Sequence, residues 1–266
     1  MEKVTICINT SDRPRALSIL LNSLWLQSRR DFDIIIVDDG EKNKWSKADL
    51  AFYRSKFERF DIKIRYIKNP SRFGLALSRN VGLDLMNTKV GVFLDDDHIC
   101  DSRFMEFLLC VFDREENVGC VGALFPHVEG VILHKEDPPK VFGDLLNDKG
   151  WGDHQRFYYP FYSNKTGIYP AIALGGIVAF RKDQRIRKED TLSVVSHTED
   201  TLFSLRYIQH GYKNFVNTRA IAYHRVTGHG GCRTFPDAHE MRLHDSTIFR
   251  KILSTELMPV LKDLKL

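Results

Sequence analysis

Cysteine is scarce and unpatterned in this chain. There are five among 266 residues, Cys7, Cys100, Cys110, Cys120 and Cys232, with no pair at C-x-x-C spacing. That excludes a disulfide framework and a structural zinc site as first readings, and leaves small buried apolar residues in a reducing compartment. No apolar run approaches the roughly 20 residues needed to span a bilayer. Met1 to Thr5 has no basic stretch leading into a long apolar one, so no signal peptide is expected. Charge of one sign is lacking too: 39 Lys and Arg stand against 35 Asp and Glu, a formal +4. Such a balance suits phosphorylated ligands or an anionic membrane surface, and is too weak to argue for nucleic acid. No His-Glu-x-x-His, Gly-x-Ser-x-Gly or Gly-x-Gly-x-x-Gly occurs, and there is no internal repeat. What remains, 43% hydrophobic and 28% charged, is ordinary globular composition for one large domain or two small ones.

The first half alternates in period. Val4 to Asn9 is an apolar run, Thr10-Ser11-Asp12 offers helix caps, and Pro14 suits a first helical position before Leu17, Leu20, Leu21, Leu24 and Trp25 at helical spacing. Strands follow at Phe32 to Val37, Ile62 to Lys68, Val90 to Leu94 and Val118 to Ala123. The helices between them run over about 47–60, 75–86 and 103–112. Unbroken apolar strands separated by helices predict a parallel sheet covered on both faces, with ligands along the carboxyl edge. Thr10-Ser11-Asp12, Asp38-Asp39 and Asp95 to Asp97 all fall on that edge. Residues 125–170 lose the alternation and are rich in aromatics, read either as core or as a surface that stacks on a sugar or lipid. Beyond them come a strand at Ile177 to Phe180 and a helix from Thr198, its expected cap, to His210. A last strand follows at Ala220 to His224, then C-terminal helical segments. Leu253 to Leu266, interrupted by Pro259, reads as docking on the domain, with membrane-surface contact as the alternative.

Three aspartates ending a buried strand concentrate negative charge that a divalent ion would relieve, and Asp101-Ser102 already supply the cap for the next helix. Asp38-Asp39-Gly40 alone reads as a turn, Arg72 as a surface arginine, Glu199-Asp200 as acids favoured by a helix start, and His224 equally as a satisfied histidine or a functional one. Taken together they carry more. Thr10 to Pro14, Val37 to Gly40, Asn69 through Gly74-Leu75-Ala76 to Ser78-Arg79-Asn80, and Phe93 to Asp97 come in order, followed by Gly175-Gly176, Thr198 to Phe203 and Arg206 to Gly211.

In that order and spacing the chain resembles the family 2 inverting glycosyltransferases of GT-A fold, over most of residues 3–224. The resemblance implies a mixed, mainly parallel α/β sheet flanked by helices. It implies a glycosyltransferase domain over 1–235, with a nucleotide-binding half (1–100) and an acceptor half (101–235), followed by a helical tail over 236–266. It implies a nucleotide-diphosphate sugar donor, contacted by Thr10, Asp38, Asp39, Arg72, Asp95 and Asp96. Asp95 and Asp97 fit the family's Asp-x-Asp motif and, with His224, would hold Mn²⁺ or Mg²⁺. Asp200 matches the catalytic base, with Glu199 in support and Gly175-Gly176 shaping the sugar and acceptor site. The acceptor would be a saccharide, lipid-linked or protein hydroxyl, and the location cytoplasmic, with peripheral membrane contact as an option. The rival readings are a haloacid-dehalogenase-like phosphatase, from Phe93 to Asp97, a sugar nucleotidyltransferase, whose Gly-rich first loop is missing, and an inactive sugar-binding scaffold.

Overall fold

The first four apolar runs become one end of a sheet. The computed structural model describes residues 2–42, 45–126, 166–225, 230–231 and 235–263. Its strands are β1 (Val4–Thr10), β2 (Phe32–Asp38), β3 (Ile64–Lys68), β4 (Val90–Asp95), β5 (His98–Cys100), β6 (Val118–Leu124), β7 (Ile168–Ala171), β8 (Val178–Arg181) and β9 (Lys213–His224). Its helices are α1 (Pro14–Trp25), α2 (Lys47–Glu58), α3 (Leu75–Leu85), α4 (Phe104–Leu109), α5 (Val111–Arg114), α6 (Glu199–Gln209), α7 (Ala238–Ile252) and α8 (Met258–Asp263), with a π-helical stretch, Leu253–Leu257, joining the last two. The strand order is β3-β2-β1-β4-β8-β6-β9-β5, with β7 also on β9.

Strand alternation divides the core. Val4, Ile6 and Ile8 of β1 pack with Leu17, Leu20 and Leu24 of α1 and Phe57 of α2 on one face. Cys7 turns to the other face, with Leu83 of α3 and Phe203 and Tyr207 of α6. The described cysteines are free thiols, and burial pushes Cys7 and Cys100 up to about 12, as expected of small apolar packing residues. Cys232 lies outside the described residues, as do 127–165, which hold most of the aromatic-rich segment.

The sheet is mixed and mainly parallel, as expected, and β8 runs antiparallel to both β4 and β6. It is therefore the residues before β8, Gly175 and Gly176, that reach the carboxyl edge of β1 and β4. The last strand is 12 residues long, because Asn214 and Asn217, turn formers by type, are held by tertiary bonds. Asn214 Nδ2 donates to the carbonyls of Ile172 and Ser204, and Asn217 Nδ2 to that of Phe107. Neither α1 nor α6 has a side-chain cap: Arg13 stands at the start of the first, and Thr198, in a left-handed conformation, at the start of the second. The Thr198 hydroxyl bonds to the His197 carbonyl instead. Asp101 does receive the Arg103 N–H at the start of α4.

The C-terminal segment docks on the domain. Phe249, Ile252, Leu253, Leu257 and Leu261 are buried against Leu202, Leu205 and Ile208 of α6. Among the described residues no helix is long and apolar enough to cross a membrane.

Candidate active site

The carboxyl ends of β1, β2 and β4 open into a cleft lined in part by Asn9, Thr10, Asp39, Arg72, Asp95 and Asp97. Its floor is built by local turns. Asp39 accepts from the N–H of Phe73 (2.8 Å) and of Gly74 (2.9 Å) and from Asn69 Nδ2 (2.7 Å), fastening the loop before α3 under the cleft. Gly74 has φ +86°, and a Cβ there would stand 2.5 Å from the Val194 Cα, so only glycine closes this approach. Asp38 points away. Its Oδ1 accepts from Gly40 N at 2.8 Å, and its Oδ2 from the Tyr66 hydroxyl. Consecutive side chains leave a strand end in opposite directions, so only Asp39 of the expected pair lines the cleft. Arg72 is tethered by Asp12 (2.9 Å) and stacks on Phe235, 4.7 Å from its ring centre.

Two acidic clusters meet the cleft. In the first, Thr10 Oγ1 donates to Asp96 at 2.7 Å, and Arg13 Nη1 bridges Asp96 (3.2 Å) and Asp97 (2.8 Å). Antiparallel pairing of β5 with β9 sets His98 opposite His224, their rings stacked 5.0 Å apart. His224 Nε2 lies 3.4 Å from Asp97 Oδ2, and His98 Nδ1 3.6 Å from Asp97 Oδ1. Ligand atoms of Asp97, His98 and His224 all fall within 4.8 Å of one another. Asp97 Oδ1 is buried and finds no hydrogen-bond partner among the described residues. Burial pushes Asp96 up to about 7 against the pull of Arg13, while burial at Asp97 is outweighed by the His224 hydrogen bond and nearby positive charge, which hold it well below the usual carboxylate range. Burial also lowers His98, favouring the neutral imidazole. A carboxylate oxygen without a partner beside two imidazoles fits a divalent transition ion.

The second cluster is assembled from distant segments. The guanidinium of Arg79, fully buried in α3, contacts Glu199 and Asp200 through Nη1, and Asp95 (2.7 Å) and the Gly176 carbonyl (3.4 Å) through Nη2. Lys188, also fully buried, reaches Glu199 at 2.5 Å and Asp200 at 3.1 Å, over the Phe203 ring. Burial pushes Glu199 up to about 8. Asp200, although burial raises it, ends well below the usual range through Arg79 and Lys188. Its side chain remains 22% exposed, and that of Asp95 30%.

The structure thus separates Asp95 from the group it was expected to join: its carboxylate serves Arg79, and His98 stands with Asp97 and His224 instead. Arg79 and Lys188 received no role from the sequence. Arg79 carried one signal, its place one turn after Gly74 in the ordered series, whereas Lys188, between Arg187 and Glu189, carried none.

The sequence profile described as Glycosyl transferase family 2 matches residues 5–183. Among curated proteins, the chain is 29% identical over 119 residues to a teichoic acid poly(glycerol phosphate) polymerase of Staphylococcus epidermidis, covering 44% of this chain and 16% of that one. It is 21% identical over 227 residues to the glucosyl-dolichyl phosphate glucuronosyltransferase of Haloferax volcanii, covering 84% and 68%. The chain therefore spans only a small part of the polymerase. Among solved structures, S. aureus TarS residues 1–349 with UDP-GlcNAc superposes with a TM-score of 0.64 at 18% identity, covering 96% of this chain and 68% of that one. GalNAc-T7 with UDP, GalNAc and Mn²⁺ gives 0.63 at 16%, covering 88% and 45%. These two likenesses speak to the fold, a GT-A sheet.

Proposed function

This chain belongs to glycosyl transferase family 2, and from that premise we propose that it is a metal-dependent, inverting glycosyltransferase acting on a nucleotide-diphosphate sugar. The observation that carries the reading is the meeting of the two clusters at one cleft: an ion-ready Asp97, His98 and His224 group, and Asp200 fixed on Arg79 beside Asp95.

Donor binding falls to Thr10, Asp39, Arg72 and Asp96 at the cleft, with Asn9 added by the structure. Asn9 Nδ2 and Arg72 Nε are buried without partners among the described residues, as donors awaiting an anionic ligand would be. Asp38 supports from behind, holding the turn that carries Asp39. Asp97, His98 and His224 would hold Mn²⁺ or Mg²⁺, which when bound supplies a Lewis acid for the departing diphosphate. Mixed oxygen and imidazole donors favour Mn²⁺.

In the transfer step the acceptor hydroxyl attacks the anomeric carbon from the face opposite the diphosphate. The new C–O bond forms as the bond to the phosphate oxygen breaks, that oxygen keeps the electron pair, and the hydroxyl proton passes to Asp200. Arg79 and Lys188 keep Asp200 ionised but also weaken it as a base, so the proton moves late, after bond formation has made the hydroxyl acidic. Glu199 supports from the buried side, and Gly175 and Gly176 border the sugar and acceptor position. The acceptor is a saccharide, lipid-linked or protein hydroxyl, and we place the reaction in the cytoplasm. Family membership speaks against the phosphatase reading.

A panel of nucleotide-diphosphate sugars, UDP-GlcNAc first, tests this with product analysis by NMR and with UDP thermal shifts in Mn²⁺ and in chelator. The expected result is a product of opposite anomeric configuration and stabilisation by UDP that chelator abolishes. Retained configuration, or UDP stabilisation indifferent to chelator, would overturn the inverting or the metal-dependent part.

A further inference from the structure

Away from the cleft and the ion-ready cluster, Asp245 is a carboxylate enclosed by the protein. It lies midway along α7, in the C-terminal segment, and is fully buried. Its Oδ1 accepts from the N–H of Ser193 at 2.7 Å, and its Oδ2 from the Ser193 hydroxyl at 2.9 Å and the N–H of His197 at 2.7 Å. All three bonds go to one short loop, and that loop serves both halves of the base cluster. On one side the Ser196 hydroxyl accepts the Ala76 N–H at 3.0 Å, and the Val194 carbonyl accepts the Leu75 N–H at 3.4 Å, fixing the first turn of α3 just before Arg79. On the other side the loop passes through Ser196 (φ 52°) and Thr198 (φ 71°) straight into Glu199 and Asp200. Left-handed backbone at non-glycine residues persists only where surrounding contacts hold it.

We infer that Asp245 is a positioning residue for the transfer: by clamping the loop over 193–197 it sets the starts of α3 and α6, and so the placement of Asp200 against Arg79. This rests on Asp200 being the base. A clamp that served stability alone would lower the melting temperature and leave the turnover of folded enzyme unchanged. A positioning clamp shows in kcat, because a displacement of about 1 Å can cost on the order of 10²-fold. Asparagine keeps the shape but turns an NH₂ group on one of the N–H donors, so Asp245→Asn loosens the clamp without opening a cavity.

The test is steady-state kinetics of the full chain with the nucleotide sugar that the wild type transfers fastest in the panel above, at a temperature where circular dichroism shows each variant folded. Asp245→Asn is expected to lose roughly 10- to 100-fold in kcat with donor KM changed less than about 3-fold. Ser193→Ala should lose less in the same parameter, and amide exchange at Ser193, His197 and Ala76 should quicken in both. Should Asp245→Ala fail to fold, these two variants still decide. Wild-type kcat in folded Asp245→Asn, or a change confined to KM, overturns the inference and leaves the proposed reaction standing. A wild type that transfers no sugar from any donor overturns the reaction itself, and the inference with it.

Discussion

The two acidic clusters differ in how they are neutralised, and the difference marks what each is built for. Asp96 and Asp97 are consecutive residues at a strand end, with one arginine, one threonine and two stacked histidines around them, and one buried oxygen is left without a partner. Asp95, Glu199 and Asp200 come from two elements and meet two fully buried cations, Arg79 and Lys188. On the proposed function the first cluster is the ion site, and the second, whose acids already meet two buried cations, holds the ionised base. A buried charge is tolerated only when paired, and the pairing partner decides whether the group is a ligand site or a preset base.

The largest expected effect separates the clusters by function. Asp200→Asn should lose about 10²- to 10⁴-fold in transfer rate, the usual worth of general-base catalysis, while UDP and Mn²⁺ still stabilise the protein. Single-turnover rates and thermal shifts check both halves, and near-wild-type transfer would dissolve the distinction.

The next effect separates them by stability. Arg79→Met leaves Glu199 and Asp200 short of a buried partner and should cost about 3–5 kcal/mol by urea denaturation. Arg13→Met removes hydrogen bonds to Asp96 and Asp97 and should cost about 1.5–3 kcal/mol. Mn²⁺ should recover part of the second loss and none of the first, since an ion that binds the folded state replaces the missing charge only where ligands stand open.

A smaller effect follows from protons. Glu199, pushed up to about 8 from an ordinary 4.5, gives stability that is complete below about pH 4.5 and is lost as the pH rises through about 8. Asp200, held low, gives stability present above its ordinary 3.8 and lost only as the pH falls through its depressed value. Wild-type stability should therefore decline between about pH 4.5 and about pH 8, and Glu199→Gln, which cannot titrate, should flatten that decline. Denaturation midpoints across that range measure it. Smallest of all is the exposed Arg187–Asp84 pair, 2.6 Å apart on the surface. Asp84→Asn should change stability by less than about 1 kcal/mol, and a larger loss would mean that solvent screens charge here less than assumed.

The first cluster was legible in part: Asp96 and Asp97 follow a strand that reads as an apolar run, and His224 ends another, but Arg13 was given no role. His98 escaped notice because its value comes from facing His224 across the β5–β9 pair, a strand of three residues too short to leave a pattern. Asp39 and Asp38 were read as a pair, and only the backbone direction at the end of β2 divides them. In the second cluster Glu199 and Asp200 were visible as acids at a helix start, and Asp95 was named but given to the ion rather than to Arg79.

By itself the sequence determined the strands and helices of the first half, short β5 apart, and the edge on which they end. Alternating apolar runs and helix periods make strands and helices from local and near-local forces, and right-handed connection of parallel strands gathers their carboxyl ends. The tertiary structure decided the direction of β8, the full length of β9, and which acid has which partner. The pairings rest on contacts between separate segments: Arg79 with Asp200, Lys188 with Glu199, Asp245 with Ser193. No local pattern encodes such a pairing, because the stabilisation of a buried charge comes from whatever the finished core places beside it.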